Sequence, residues 1–219
     1  MNVVIFGASE FAEVACAYLR KHPDYDVRAF TVAREYLTQD ALCGFPVVPF
    51  EDLPDRYPPD EFGLFIAVGF SALNENRRAI YERAKALGYR MPTYIHPTVE
   101  RWEETSIGEA CFIFENNVIQ PYVSIGNNCV IWSGNHIGHH TMIGDHVFIA
   151  SHAVISGKCH IGDGCFIGVN ATFRDGVAVG EHSLVGAGAL VLADAPPRSF
   201  FKGAATVPTE YRPRSASST

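Results

Sequence analysis

From residue 107 to residue 191 the chain places an aliphatic or aromatic side chain at every sixth position. The series starts at Ile107, Ile113 and Ile119 and ends at Phe173, Val179, Val185 and Val191. Two residues earlier runs a second register of compact side chains, from Thr105, Cys111 and Asn117 to Val177, Ser183 and Ala189. Helices and strands repeat their side chains at about 3.6 and 2 residues, so neither accounts for a period of six. A hexapeptide repeat marks a parallel β-helix, in which each coil lays its apolar position on that of the coil below. The large residue is expected to fill the prism and the small one to sit at the tight approach beside a corner. If three hexads make one coil, His139 lies over Gly157 and Gly157 over Asp175.

Ahead of the repeat the pattern changes. Residues 3–6 form a short apolar run ended by Gly7, and residues 10–21 carry apolar groups at helical spacing. Residues 27–31 and 64–68 read as further strands, residues 73–87 as a helix stopped by Gly88, and residues 92–95 as a last short strand. Strands alternating with helices predict a small parallel sheet with Rossmann-like βαβ crossovers. Such a sheet binds ligands outside the carboxyl ends of its strands. The expected organisation is an α/β domain over residues 1–98, an all-β left-handed parallel β-helix over 99–205, and a flexible polar tail over 206–219.

Composition narrows the chemistry. A formal net charge of −7 argues against a general nucleic-acid or anionic-membrane surface. No apolar run approaches the ~20 residues of a membrane span. The first residues lack the basic-then-apolar layout of a secretion signal, and the chain is expected to be cytoplasmic. Of the six cysteines, Cys111, Cys129, Cys159 and Cys165 fall in the compact register, where a buried thiol behaves as a small hydrophobe.

Nine histidines are present, and those at 136, 139, 140, 146, 152 and 160 cluster within the repeat. His139 comes two places after the inward Ile137, so it should project outward near a corner, where an imidazole can act as a general base. Gly157, one coil on and without a side chain, can offer a backbone N–H to a developing oxyanion. His140, at the next position, is placed to orient His139 or to meet the substrate. A shared zinc site would need three outward histidines; His146 and His182 lie two coils apart, but no third follows, and no metal is expected. In the front domain Gly7, Ala8 and Ser9 follow a strand and precede a helix, where free N–H groups can meet a phosphate. Arg34 after the second strand, and Gly69, Asn74 and Arg77 near the third, are candidate rim residues.

Several segments carry a resemblance across about residues 1–205. They are Val4-Ile5-Phe6-Gly7, Gly44-Phe45-Pro46-Val47, Ala67-Val68-Gly69, Ile95-His96-Pro97, residues 133–140, Gly186-Ala187-Gly188-Ala189 and Lys202-Gly203-Ala204. Together they resemble the hexapeptide-repeat sugar acyltransferases: the sialic acid O-acetyltransferases, the bacillosamine-pathway N-acetyltransferases and the perosamine N-acetyltransferases. The resemblance implies a homotrimer with acetyl-CoA clefts between neighbouring β-helices and a front domain that holds a nucleotide-activated sugar. The family's catalytic histidine falls on His139 and its oxyanion glycine on Gly157. Gly157, His152, Gly186, Gly188 and Lys202 are then the candidate acetyl-CoA contacts, and Gly7, Ala8, Ser9, Arg34 and Gly69 the nucleotide-sugar contacts. The chain departs from the pattern in the glycine-poor stretch Gly7-Ala8-Ser9-Glu10-Phe11-Ala12. It departs again at Trp132 and Phe148, where polar groups are expected in the bacillosamine enzymes. An N-acetyltransferase acting on a nucleotide-linked amino sugar is the expected function. An O-acetyltransferase on a sugar hydroxyl and a non-catalytic nucleotide-sugar scaffold are the alternatives.

Overall fold

The computed structural model describes residues 1–205; the tail expected over residues 206–219 lies outside them. The first apolar run forms β1 (Asn2–Phe6), followed by α1 (Glu10–Leu19) and β2 (Asp26–Val32). Then come β3 (Ala41–Leu42), β4 (Phe45–Pro49), the short α2 (Leu53–Arg56), β5 (Phe62–Ile66) and α3 (Glu75–Ala86). The sheet order is β3-β4-β2-β1-β5. All its pairings are parallel except the edge, where β3 runs antiparallel to β4. The hydrophobic pattern places β5 slightly late and passes over the β3–β4 hairpin. Pro46 and Pro49 interrupt that apolar run, and proline within a run argues against a strand.

From Tyr94 onward every hexad yields a two-residue strand, and each strand pairs in parallel with the strand one coil on. Val118 meets His136, and His136 meets Val154. The strands form three faces of a left-handed parallel β-helix. The first face holds seven strands, from Tyr94–Ile95 to Phe200–Phe201. The second holds six, from Glu100–Arg101 to Leu190–Val191, and the third five, from Ser106–Ile107 to Ala178–Val179.

Both registers read from the sequence point inward. From Ile113 to Val191 the large residues are buried, and so are the compact residues from Cys111 to Ala189. Polar members of the compact register are satisfied up the stack. Asn117 Oδ1 accepts from Asn135 N at 2.8 Å, and Asn135 Oδ1 accepts from Ala153 N at 2.7 Å. The register cysteines are buried free thiols, and burial pushes the Cys165 thiol up to about 11.

A third register was not evident from hydrophobicity. Three residues beyond each inward position the backbone turns left-handed, as at Asn116 (φ 59°), Asn128 (φ 54°), His140 (φ 59°), His146 (φ 61°), His152 (φ 61°) and His182 (φ 53°). Glycine is free there, and asparagine and histidine are among the side chains that best tolerate it. Much of the histidine count therefore has a backbone cause.

The front layer lies on the first face of the prism. Phe11 of α1 meets Trp132 at 5.7 Å between ring centroids, and Trp132 stacks on Phe114 at 4.4 Å and 3°. Phe70 meets Phe148 at 5.2 Å and Phe166 at 4.6 Å. Trp132 and Phe148, the two departures in sequence, are thus contacts between the two layers.

Arg77 fastens the same junction. Expected at a ligand rim, it is instead 0% exposed. Its Nη2 donates to His146 O at 2.7 Å, its Nε to Asn128 O at 3.2 Å, and its Nη1 to Gly69 O at 3.1 Å and Asn74 Oδ1 at 2.9 Å. Asn74, also buried, donates from Nδ2 to Gly164 O at 2.9 Å. Burial pushes the guanidinium down to about 10, which still leaves it charged at neutral pH. The rim expectation failed because spacing places a residue on a helix but does not say which layer the helix faces. Arg77→Ala would strand several buried carbonyls and should cost about 3 kcal/mol or more. Urea unfolding of the variant against the parent checks this.

Candidate active site

The turn carrying His139 and His140 joins strand His136–Ile137 on the second face to strand Met142–Ile143 on the third. Both histidines are exposed. The His139 ring points outward and along the stack, as its position in the hexad predicts. A Cβ on Gly157 would stand 2.8 Å from both Cε1 and Nε2 of His139, so a side chain there would push the exposed imidazole away from its place over this rung. His139 Nδ1 is 3.2 Å from Nδ1 of His140, and the His140 ring sits 4.7 Å from that of Tyr122. With Nδ1 turned to its neighbour, Nε2 is the nitrogen left facing Gly157. Gln120 Oε1 accepts from His139 N at 2.9 Å and fixes the turn. Among the described residues the Gly157 N–H donates to no acceptor.

Four of the five front-layer candidates lie around one cavity. A cavity of about 460 Å³ at the carboxyl edge of the sheet is lined by Gly7, Ala8, Ser9 and Gly69, together with Glu35, Tyr36, Asn76, Ile80 and Arg83. Gly7 adopts φ 134°, and a Cβ there would stand 2.6 Å from Ala67 O. Ser9 precedes α1, but its hydroxyl makes no capping hydrogen bond. Among the described residues the N–H groups of Glu10 and Phe11 have no acceptor, at a helix end whose preceding residue, Ser9, lines the cavity. Arg34 does not line it; its guanidinium pairs with Asp52. The cation at the cavity is Arg83, which sequence reading missed. The signal was present, because Asn76, Ile80 and Arg83 recur on one face of α3 at helical spacing.

The donor candidates lie elsewhere. His152 and Gly188 belong to the corner between the first and second faces, with His152 seated over Gly134. Gly186 lies at the end of the first face, where its N–H donates to Phe201 O at 2.8 Å. Lys202 follows on the last rung and is exposed. Within one protomer, the width of the second face separates His152 and Gly188 from His139 and Gly157. His146 and His182 face structural partners: His146 Nδ1 accepts from Asn128 Nδ2 at 2.9 Å, and His182 lies 3.4 Å from Glu75. Burial pushes the His146 imidazole below its ordinary range. Among the described residues no group of three or more His, Cys, Asp and Glu could hold a metal ion, and no helix is long and apolar enough to cross a membrane.

Residues 104–137, 122–157 and 158–193 match the family of bacterial transferase hexapeptides (six repeats). The matched residues are those of the β-helix, where the hexapeptide repeats lie. Its structure as a whole is similar to a histidine variant of perosamine N-acetyltransferase from Caulobacter crescentus in complex with CoA and GDP-perosamine. There the TM-score is 0.83 at 26% identity, covering 91% of this chain and 92% of that one. The acetyltransferase domain of PglB from Neisseria gonorrhoeae in complex with acetyl coenzyme A gives 0.77 at 27% identity, covering 89% and 92%. WeeI from Acinetobacter baumannii shares the fold, with a TM-score of 0.78 at 22% identity over 90% and 94%. Comparison with curated protein sequences finds no match.

Gly157→Ala would drive a methyl group into the His139 ring. It should lower turnover about 10²-fold or more by displacing this imidazole, while the thermal midpoint moves by only a few degrees. Steady-state kinetics together with a melting curve check both halves.

Proposed function

We propose that the protein is an acetyl-CoA-dependent N-acetyltransferase that acts on a nucleotide-linked amino sugar, with His139 as general base. The observation that carries this reading is the placement of the outward His139 ring over the bare backbone of Gly157. An acceptor nitrogen attacking a thioester must lose a proton, and the carbonyl oxygen gains negative charge. Nε2 of His139 and the N–H of Gly157 on the next rung would meet these two needs. The similarity to proteins bound to CoA, acetyl coenzyme A and GDP-perosamine supports the same substrates here. Gly7, Ala8, Ser9 and Gly69 would hold the nucleotide-sugar diphosphate against the open end of α1, with Arg83 as its cation. His152, Gly186, Gly188 and Lys202 would contact acetyl-CoA; Gly186 would do so through its lack of a side chain, since its N–H is already bonded.

The topology adds a condition. The front layer covers the first face, whereas His139 lies on the corner between the second and third, across the prism. Phe11 and Phe70 place the groove level with the rungs of Trp132, Phe148 and Phe166, at the height of His139 and Gly157. An acceptor held in one protomer's groove thus faces away from its own base, and a neighbour in a homotrimer would supply it.

Mass spectrometry of UDP-, GDP- and dTDP-linked amino sugars incubated with enzyme and acetyl-CoA tests the reaction. His139→Ala should reduce turnover about 10²–10⁴-fold with folding intact; a loss below about tenfold would remove His139 from the role. Mixed assemblies of His139→Ala with a groove-filling Gly69→Trp chain should recover about a quarter of parental turnover if each site spans two protomers. An inactive mixture would place both halves of the site in one chain.

A further inference from the structure

A carboxylate faces the base from the far side of Gly157. The column that stacks His139 over Gly157 continues to Asp175 on the next coil, and Asp175 Oδ1 lies 3.0 Å from where a Gly157 Cβ would stand. The missing side chain leaves a notch with an imidazole edge on one wall and a carboxylate on the other. The corner between the third and first faces shows what an aspartate at this hexad position ordinarily does. There Asp145 Oδ1 accepts from Asn127 N at 2.6 Å, and Asp163 Oδ1 accepts from Asp145 N at 2.8 Å, each capping the coil above. Asp175 does not cap Gly157 in this way. It is exposed, and among the described residues its carboxylate accepts no hydrogen bond. Among the described residues both the carboxylate and the Gly157 N–H remain free, on the two rungs that follow the base at the same corner.

We propose that Asp175 receives the ammonium group of the acceptor, so that the site selects amines over hydroxyls. This deepens the reading above and rests on His139 being the base. A primary amine is protonated at neutral pH, and it enters the notch as R–NH₃⁺, donating to Asp175 Oδ1 in a charge-assisted hydrogen bond. One proton leaves to water. The neutral nitrogen then attacks the thioester carbon; the C–N bond forms, and the Gly157 N–H receives the developing oxyanion. The nitrogen gives its second proton to His139 Nε2. Collapse breaks the C–S bond, and the imidazolium returns that proton to the departing thiolate. The products are the amide, the free thiol and one proton in solvent. A sugar hydroxyl is uncharged and gains only an ordinary hydrogen bond from the carboxylate.

The test uses the full chain, the amino sugar that the nucleotide-sugar panel identifies, and its hydroxyl counterpart as substrate or competitive inhibitor. Asp175→Asn should raise KM for the amine about tenfold or more. The KM for acetyl-CoA and the constant for the hydroxyl compound should stay within about twofold, and Asp175→Glu should keep the amine KM within about threefold of the parent. A merely structural role would move all these constants together. An unchanged amine KM in Asp175→Asn, or an equal rise in all the constants, would overturn the proposal. The His139→Ala assay separates the two ideas: inactive His139→Ala with parental Asp175→Asn removes only the carboxylate's role, whereas active His139→Ala removes the base itself.

Discussion

The molecule depends on the register of its coils. Each hexad offers one large and one compact side chain to the interior, and the next rung lays equivalent residues directly on them. Because strands only two residues long pair above and below, no single pairing is strong; the stack holds through continuity of the buried column. The same register sets the chemistry. His139 reaches Gly157 because they occupy equivalent places on successive coils, and Asp175 enters the notch for the same reason. A one-residue insertion anywhere between residues 140 and 156 would turn inward residues outward and part the imidazole from its glycine.

The junction between the layers is a second, independent constraint, and it is polar at its centre. A guanidinium removed from water is costly unless its donors are satisfied. Here backbone carbonyls of the β-helix and of Gly69, with Asn74 Oδ1, satisfy them, and among the described residues no carboxylate pairs with it. Carbonyls have fixed places on a solenoid, so Arg77 ties α3 and the groove rim to particular rungs more strictly than an apolar contact would. The stacked aromatics Phe11, Trp132, Phe70 and Phe148 supply the dry surface around it. Two layers with different internal periods are thereby held in one relative setting, which fixes the level of the groove on the prism.

What could be read from the sequence follows from which forces are local. The β-helix was legible because its period is six and any slip would show; the inward registers, the outward His139 and its stacking on Gly157 all follow from counting. The groove was legible in outline, since Gly7, Ala8, Ser9 and Gly69 end strands at one sheet edge. The reading failed where a residue's partner lies far along the chain. Arg77 and Asn74 looked like rim residues because their partners at residues 128, 146 and 164 are visible only once the layers meet. Arg34 was assigned to the groove, but Asp52 takes its charge. The left-handed turn register is not legible from hydropathy because its residues, among them Ala110, Tyr122, Asn128, Lys158 and His182, are chemically mixed and share only a positive φ.

Rigidity of this kind bears on how the site can work. In the proposed reaction, His139 as base and Gly157 as oxyanion donor on neighbouring rungs would be pre-organised by the column itself, so little reorganisation would remain when charge develops. The prism cannot fold around a substrate, however, and a corner projecting into water gives poor electrostatic leverage because exposed charges are screened. A second copy laid against the corner would supply the missing wall, exclude water and bring an acceptor from the opposite face. Assembly would then do what a closing lid does in a more flexible enzyme, and the outward placement of His139 is what a site completed by a neighbour requires.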